Sequence, residues 1–408
     1  MKRVADHLSD ILSVVQPLTP IGVQLLDAHG CLLTEDVTAP WPLPQFDNSA
    51  MDGYAVRADD VAGASADEPV ELPVVADIAA GVSHSRAIGP GHAARIMTGA
   101  PMPTGADSVV PVEFTDGGTV RVKVRSAVAT GRHVRRAGED VQAGDTVLPA
   151  GTALGAAQIG LLAAVGRDRV VVRPRPRVVV IATGSELVEP GLPVGLGQIT
   201  DSNSYMLTAA ARDAGAIAYR VAPVADDADK VLSVIEDQLV RADLVVTSGG
   251  VSAGAYDVVK HVLSELGTVR FDKVAMQPGM PQGFGRIGDT ETPIFTLPGN
   301  PVSAFVSFEV FVRPAIRKML GAPRLHRPTA KAVLQSALRS PDGKRQFARA
   351  RVRTARDGTY HATPMGGQGS HLIGDLAYAN ALIVVPEQVT ELAAGQVVET
   401  VLLETRKD

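Results

Sequence analysis

The sequence predicts a multidomain protein of mixed α/β and β architecture, and three observations carry that prediction. A length of 408 residues exceeds what one hydrophobic core comfortably serves, so two to four domains are expected. Beyond the stiff basic linker Arg173-Pro174-Arg175-Pro176-Arg177, short apolar runs alternate with helical patterns. Those runs lack a polar face, which indicates a mainly parallel sheet covered on both sides. After about residue 324 the pattern turns to strands and tight turns alone, as in a small barrel.

The elements follow in order. In the first 18 residues, Val4, Leu8, Ile11, Leu12 and Val15 recur at helical spacing, giving an amphipathic helix that ends before Pro17. This is not the unbroken apolar stretch of a signal peptide, and no run is long enough to span a bilayer, so a cytoplasmic location is expected. A second short helix is read before the Pro-rich segment Ala39-Pro40-Trp41-Pro42-Leu43-Pro44. Residues 46–140 read as short β runs, including a hairpin of 109–114 and 120–124 around Asp116-Gly117-Gly118. Residues 155–165 form a small helix and 169–172 a strand. In the α/β part, strands are read at 178–182, 216–221, 244–247 and 293–297, with helices at about 202–214, 227–240, 257–266 and 301–320. The final part has strands at 347–354, 360–363 and 381–385.

Composition narrows the function. A net charge of −5 argues against a nucleic-acid coat or a general binder of anionic membranes, while leaving room for one small anionic ligand. The single cysteine, Cys31, forbids an intrachain disulfide, and its apolar neighbours mark it as a buried structural thiol.

In an open parallel sheet, ligands bind beyond the carboxyl ends of the strands. Three such ends lead into loops of suitable chemistry: Thr183-Gly184-Ser185-Glu186-Leu187, Ser248-Gly249-Gly250-Val251-Ser252 and Pro298-Gly299-Asn300-Pro301-Val302-Ser303. Glycines let backbone amides approach a ligand, so together these loops outline an oxyanion or phosphate site, although each alone would serve as a simple turn. No P-loop exists, because Gly254 is followed by Ala255-Tyr256, and no GxGxxG follows a strand. The nine histidines show no paired zinc spacing. Gly250-Val251-Ser252-Ala253-Gly254 does match the nucleophile elbow of a serine hydrolase, with His261, His326, His361 and His371 downstream as bases, but that reading leaves the other loops and the first half without a task.

The most informative stretch is Phe46-Asp47-Asn48-Ser49-Ala50-Met51-Asp52-Gly53-Tyr54-Ala55-Val56. It resembles the signature of the MoeA family, the molybdopterin molybdenumtransferases. The likeness continues through Arg95-Ile96-Met97-Thr98-Gly99-Ala100-Pro101, Arg135-Arg136-Ala137-Gly138-Glu139-Asp140, the three strand-end loops, Gln277-Pro278-Gly279-Met280-Pro281 and Gly367-Gln368-Gly369-Ser370-His371. It covers essentially the whole chain, in order.

That resemblance implies a helical linker domain (1–45 with 141–172), an inserted β domain (46–140), a MogA-like three-layer α/β molybdopterin-binding domain (173–323) and a C-terminal β-barrel (324–408). It further implies a homodimer with the active site at the subunit interface, and insertion of molybdate into adenylylated molybdopterin with release of AMP and help from Mg²⁺. The chain has no second MogA-like domain, so a separate MogA-like molybdopterin adenylyltransferase is the implied transient partner.

Carried onto this sequence, the catalytic acids are Asp52, Asp140, Glu186 and Asp226, with Glu186, Asp226 and Asp201 toward the metal. Carboxylates facing an anionic substrate make sense only if a hard cation lies among them or one positions a water. Asp201-Ser202-Asn203 ahead of a helix has helix capping as its simpler reading. Substrate contacts are implied at Thr98, Ser248, Gly249, Gly250, Ser252, Asp257, Lys273, Pro298, Pro301, Ser303, Arg349 and Ser370. Arg suits bidentate oxyanion contact, although Arg349, Arg351 and Arg353 also read as one solvated strand face. The chain departs from the family pattern at Gln277, where members often carry Lys, at Met280, where some do, and at Ser185, which replaces the Asp of the motif. A non-catalytic scaffolding role is the alternative from another class, since the related domain of gephyrin also clusters receptors.

Overall fold

The computed structural model describes residues 1–82, 87–249, 262–263 and 267–403. The chain divides into two compact units, one of residues 1–22, 30–32 and 171–408, the other of 23–29 and 33–170.

The first unit is built on a six-stranded sheet in the order Ile217–Arg220, Arg177–Ala182, Leu244–Ser248, Thr292–Leu297, Pro281–Ile287, Gly267–Lys273. The first four strands are parallel, and Pro281–Ile287 is antiparallel to both of its neighbours, Thr292–Leu297 and Gly267–Lys273. Side chains alternate between two apolar layers. Val178, Val180, Leu244 and Val246 meet Leu207, Ala211 and Phe311 on one face. Val179, Ile181 and Val245 meet Val231 and Ile235 on the other. Burial on both sides is why these strands read as unbroken apolar runs. The helices Asn203–Asp213 and Ala228–Leu239 supply those opposite covers, making three layers.

The expected helix at 301–320 forms as Pro301–Ser307, a wider π turn at Phe308–Val312, and Arg313–Met319. The helix expected at 257–266 falls largely outside the described residues. The amphipathic helix Val4–Val14 places Val4 and Ile11 in the same core as Phe311. By contacts, then, it belongs with the α/β unit.

Within the same unit, five strands close into a barrel. Arg345–Thr354 pairs with Tyr360–Pro364 on one side and Ala381–Val385 on the other, and the ring is completed by Thr329–Leu334 and Val397–Leu402. Ala348, Ala350, Ile383 and Leu334 fill its interior.

The second unit centres on a five-stranded sheet in the order Ser108–Pro111, Gly53–Val56, Ala93–Ile96, Val70–Ile78, Arg121–Val124. Two expectations fail here. The hairpin of 109–114 and 120–124 does not form: Ser108–Pro111 pairs with Gly53–Val56, and Arg121–Val124 pairs with Val70–Ile78. A short 3₁₀ turn at Val112–Phe114 follows Pro111 and ends the first strand, so the two segments meet only in the single antiparallel bridge of Thr115 with Val124. The second short helix before residue 45 is likewise absent, because the chain forms a turn at 25–30 between short strands. The helix Ala156–Ala164 forms near its expected place. Among the described residues no helix is long and apolar enough to cross a membrane.

Candidate functional site

The parallel strands of the first unit end at Ala182, Ser248 and Leu297, and the loops beyond them interlock through main-chain hydrogen bonds. Thr183 N donates to Ser248 O at 2.9 Å, Gly249 N to Leu297 O at 3.2 Å, and Gly184 N to Val224 O at 2.9 Å. Gly249 has φ of +100°, and a Cβ there would lie 2.2 Å from the Thr183 carbonyl oxygen. Only glycine satisfies both conditions. These loops border a cleft of about 850 Å³, lined among others by Thr183, Glu186, Asn203, Asp226, Ser248 and His371.

The cleft wall is polar and incompletely satisfied. Asn203 Nδ2 donates to Ser248 Oγ at 2.9 Å and to Gly299 O at 2.6 Å, and Ser248 Oγ donates to Pro298 O at 3.3 Å. Three buried oxygens that belong to cleft-lining residues nevertheless lack a partner among the described residues: Thr183 Oγ1, Asn203 Oδ1 and Asp226 Oδ1. Buried polar atoms are nearly always paired, so three orphans around one cavity mark a place where a ligand or ion completes the bonding.

The three acids assigned toward metal differ sharply. Glu186 is exposed, with its carboxylate folded against the Cα of Gly184, so that a Cβ there would sit 2.7 Å from Oε2. Asp226 accepts a bond from Ser185 N at 3.3 Å through Oδ2 and keeps Oδ1 unpartnered. Asp201 is buried and committed elsewhere. Its Oδ1 accepts from Ser204 N at 3.1 Å, its Oδ2 from the Ser204 hydroxyl, and Arg220 lies 3.8 Å away. Asp201 therefore caps the helix Asn203–Asp213. Among the described residues no group of three His, Cys, Asp or Glu converges as a metal site. Two carboxylates on one cleft nonetheless suit Mg²⁺, which commonly takes one or two protein carboxylates and completes its shell with water and substrate phosphate.

The remaining assigned residues separate into those at the cleft and those away from it. Ser248, Gly249, Pro298 and Pro301 line it. Lys273 is exposed at the end of a strand, paired in register with the cleft residue Pro281. Ser303 is buried, and Ser370 accepts a bond from Val302 N at 3.0 Å through its carbonyl oxygen. Arg349 is only 1% exposed, and its guanidinium donates to the carbonyls of Gly367 and Leu372. Gly250, Ser252 and Asp257 lie outside the described residues, and with them the hydrolase elbow. Cys31 is buried, and burial pushes its thiol up from the ordinary value.

Sequence reasoning missed Thr183, Asn203 and His371 as cleft residues, although each lies inside or beside a motif it had singled out.

In the second unit, the signature stretch gathers two other motifs around itself. Asp47 accepts from Ala137 N at 2.8 Å and Arg136 Nη1 at 2.6 Å, and Ser49 N donates to Ala100 O at 3.0 Å. Asp52 Oδ1 accepts from Thr98 N at 2.6 Å and Thr98 Oγ1 at 2.8 Å, and these two bonds hold its carboxyl below the usual range. Asp140 is exposed, with its amide bonded to Leu43 O at 3.1 Å.

Comparison with known proteins agrees with these features from end to end. Residues 2–166 match the MoeA N-terminal region (domain I and II), 179–318 a probable molybdopterin binding domain, and 331–403 the MoeA C-terminal region (domain IV). Molybdopterin molybdenumtransferase 2 of Mycobacterium tuberculosis is 51% identical over 401 residues, which cover 97% of this chain and 98% of that protein. The molybdopterin molybdenumtransferase of Bacillus subtilis is 37% identical over 93% of this chain and 89% of its own length. A crystal structure of a molybdopterin biosynthesis MoeA protein from Pyrococcus horikosii superposes with a TM-score of 0.76 at 31% identity, covering 99% of both chains. With all three regions in order over almost its whole length, the chain belongs to the MoeA family and is an enzyme of the transferase class.

Proposed function

We propose that this enzyme is a molybdopterin molybdenumtransferase that inserts molybdate into adenylylated molybdopterin and releases AMP, in the biosynthesis of the molybdenum cofactor. The observation that carries the reading is the cleft beyond the parallel strands, where Glu186 and Asp226 lie and three buried oxygens, one of them Asp226 Oδ1, lack partners among the described residues. Its glycine loops suit the pterin phosphate and the nucleotide, since a backbone without side chains admits bulky anions closely.

Glu186 and Asp226 would hold Mg²⁺, which when bound neutralises the phosphoanhydride of the substrate. Asn203 is held through Nδ2 by Ser248 and Gly299, which leaves its Oδ1 as an acceptor for a donor on the ligand. Thr183 supplies a hydroxyl that either donates or accepts. The acids Asp52 and Asp140, with Thr98, act in this reading from the partner subunit of a homodimer, across the cleft of the first copy. Thr98 keeps Asp52 ionised, ready to orient a water or a substrate hydroxyl. A MogA-like adenylyltransferase in the same compartment, the cytoplasm, would supply the activated pterin. The four-part division at residues 45, 140, 172 and 323 is proposed on the same footing, with the helix Val4–Val14 of its linker part packed on the α/β core.

Incubation of the purified chain with adenylylated molybdopterin, Mg²⁺ and molybdate should release AMP and yield a cofactor that activates an apo-molybdoenzyme. AMP release no greater than in a protein-free control would remove the proposal.

A further inference from the structure

The cleft is to receive an anion, yet none of its described lining side chains is Lys or Arg. The guanidinium that sequence reasoning assigned to this task, Arg349, is spent on two carbonyls. One side chain able to carry positive charge does line the cleft, and it is His371.

The loop that carries His371 is unusually well tied down. Met365 N donates to Arg349 O at 2.9 Å, Gln368 Oε1 accepts from Arg349 N at 3.2 Å, and Gln368 Nε2 returns a bond of 3.2 Å to Met365 O. The Arg349 guanidinium then clamps the Gly367 and Leu372 carbonyls, while Ser370 O receives Val302 N at 3.0 Å. The residues on either side of His371 are thus both anchored, one to a buried arginine of the barrel and the other to the first turn of the helix beside the cleft. Burying an arginine is costly even with the carboxylate of Asp375 acting on it from a distance, and here its hydrogen bonds go to loop carbonyls. Those bonds and the one from Val302 to Ser370 fix the main chain on both sides of the exposed His371, which lines the cleft.

We propose that His371 is a substrate-contacting residue that donates to a tetrahedral oxyanion in the cleft, either a phosphate of the nucleotide or molybdate itself, and that Arg349 is its positioning residue. The inference rests on the transferase reading for the identity of the anion, and its test is arranged to stand apart from turnover.

Calorimetric Kd values for AMP and for molybdate, each alone with the purified chain, are compared among wild type, H371A, H371Q and R349K. One of the two Kd values should rise about tenfold in H371A, the scale of one charge-assisted hydrogen bond, and H371Q, which keeps a donor, should recover most of the loss. The probe that responds tells phosphate from molybdate. R349K should raise the same Kd, and H371A/R349K should bind no worse than H371A alone, because both substitutions remove one contact. Kd values within twofold of wild type for both probes in H371A, or in H371Q should H371A not fold, overturn the contact. No measurable binding of either probe by wild type overturns it as well. If H371A loses binding while wild type releases no AMP from adenylylated molybdopterin, the transferase reading falls and the oxyanion contact stands.

Discussion

The amide of Asp226 donates to the Ser185 hydroxyl at 3.1 Å, and the Ser185 amide returns a bond of 3.3 Å to Asp226 Oδ2. This reciprocal pair joins two strand-end loops and leaves Asp226 Oδ1 as the carboxylate oxygen without a partner. Ser185 stands where the family pattern has an acid, and its hydroxyl here positions the neighbouring acid. Ser185→Ala should lower kcat/KM by roughly three- to tenfold, the worth of one net hydrogen bond, and raise the Mg²⁺ concentration for half-maximal rate. AMP release measured across a Mg²⁺ series checks both; an unchanged Mg²⁺ dependence would mean that Ser185 does not orient Asp226.

The three acids near the cleft should respond differently to neutralisation. Glu186→Gln and Asp226→Asn should abolish turnover with thermal midpoints close to wild type, since neither carboxylate is a structural partner deep in the core. Asp201→Asn should do the reverse. An amide nitrogen in place of Oδ2 cannot accept from the Ser204 hydroxyl or pair with Arg220, so stability should fall by about 1 kcal/mol while the Mg²⁺ dependence stays intact. Thermal melts paired with AMP release separate the two behaviours, and an Asp201→Asn enzyme of altered Mg²⁺ requirement would return that residue to the metal set.

His7 supplies a pH signature of the fold. It is buried edge-on against Phe311, 3.4 Å from Asp272, with Lys2 bridging Asp272 and Asp10 at 2.9 and 2.7 Å. Burial, reinforced by the Lys2 charge and opposed by the two aspartates, pulls its pKa from 6.5 to about 4. The unfolded chain therefore takes up the proton first. Stability is full above pH 6.5 and falls as pH drops toward 4, by at most about 3 kcal/mol. Chemical denaturation at pH 7 and pH 4.5 should show this loss in wild type and a smaller one in His7→Gln. Equal losses would assign the acid sensitivity elsewhere.

Asp52 offers a local test in the other unit. Its carboxyl is lowered first by the Thr98 amide and then by the Thr98 hydroxyl. Thr98→Val removes the second bond alone, so the carboxyl should move part of the way up toward 3.8. A depressed carboxylate stabilises above its unfolded pKa and loses that contribution as pH falls through the folded value. The loop around Thr98 should therefore loosen only in strong acid, and at slightly higher pH in the variant. NMR titration of the Asp52 side-chain carbon measures the shift, and no movement would mean that the amide bond alone sets it.

How far the chain could be read in advance depends on what each segment buries. Strands such as Arg177–Ala182 and Leu244–Ser248 announce themselves because both faces are covered, and their loops carry motifs with glycines in required places. The antiparallel pair Gly267–Lys273 and Pro281–Ile287 escaped notice because Pro281, Gly283 and Gly285 look like breakers. Gly285 is in fact demanded by the sheet, since a Cβ there would lie 2.0 Å from Thr268 O. The supposed hairpin failed for the opposite reason: local turn chemistry was right, but each strand found a better partner far along the chain. For the site, residue types and strand ends were legible, whereas the state of each side chain was not. The spacing of Arg349, Arg351 and Arg353 puts all three on one strand face, and nothing in that spacing reveals that the loop 365–372 folds over the first alone.

The closed ring of the C-terminal strands has a practical corollary. Arg345–Thr354 pairs through its second half with Tyr360–Pro364 and through its first half with Ala381–Val385, so each half is tied into the ring. The last strand, Val397–Leu402, is one link of that ring. A chain cut short before it would bare the flanks of Thr329–Leu334 and Ala381–Val385 at once. Such a truncation would emerge from synthesis as a sticky species bound for inclusion bodies.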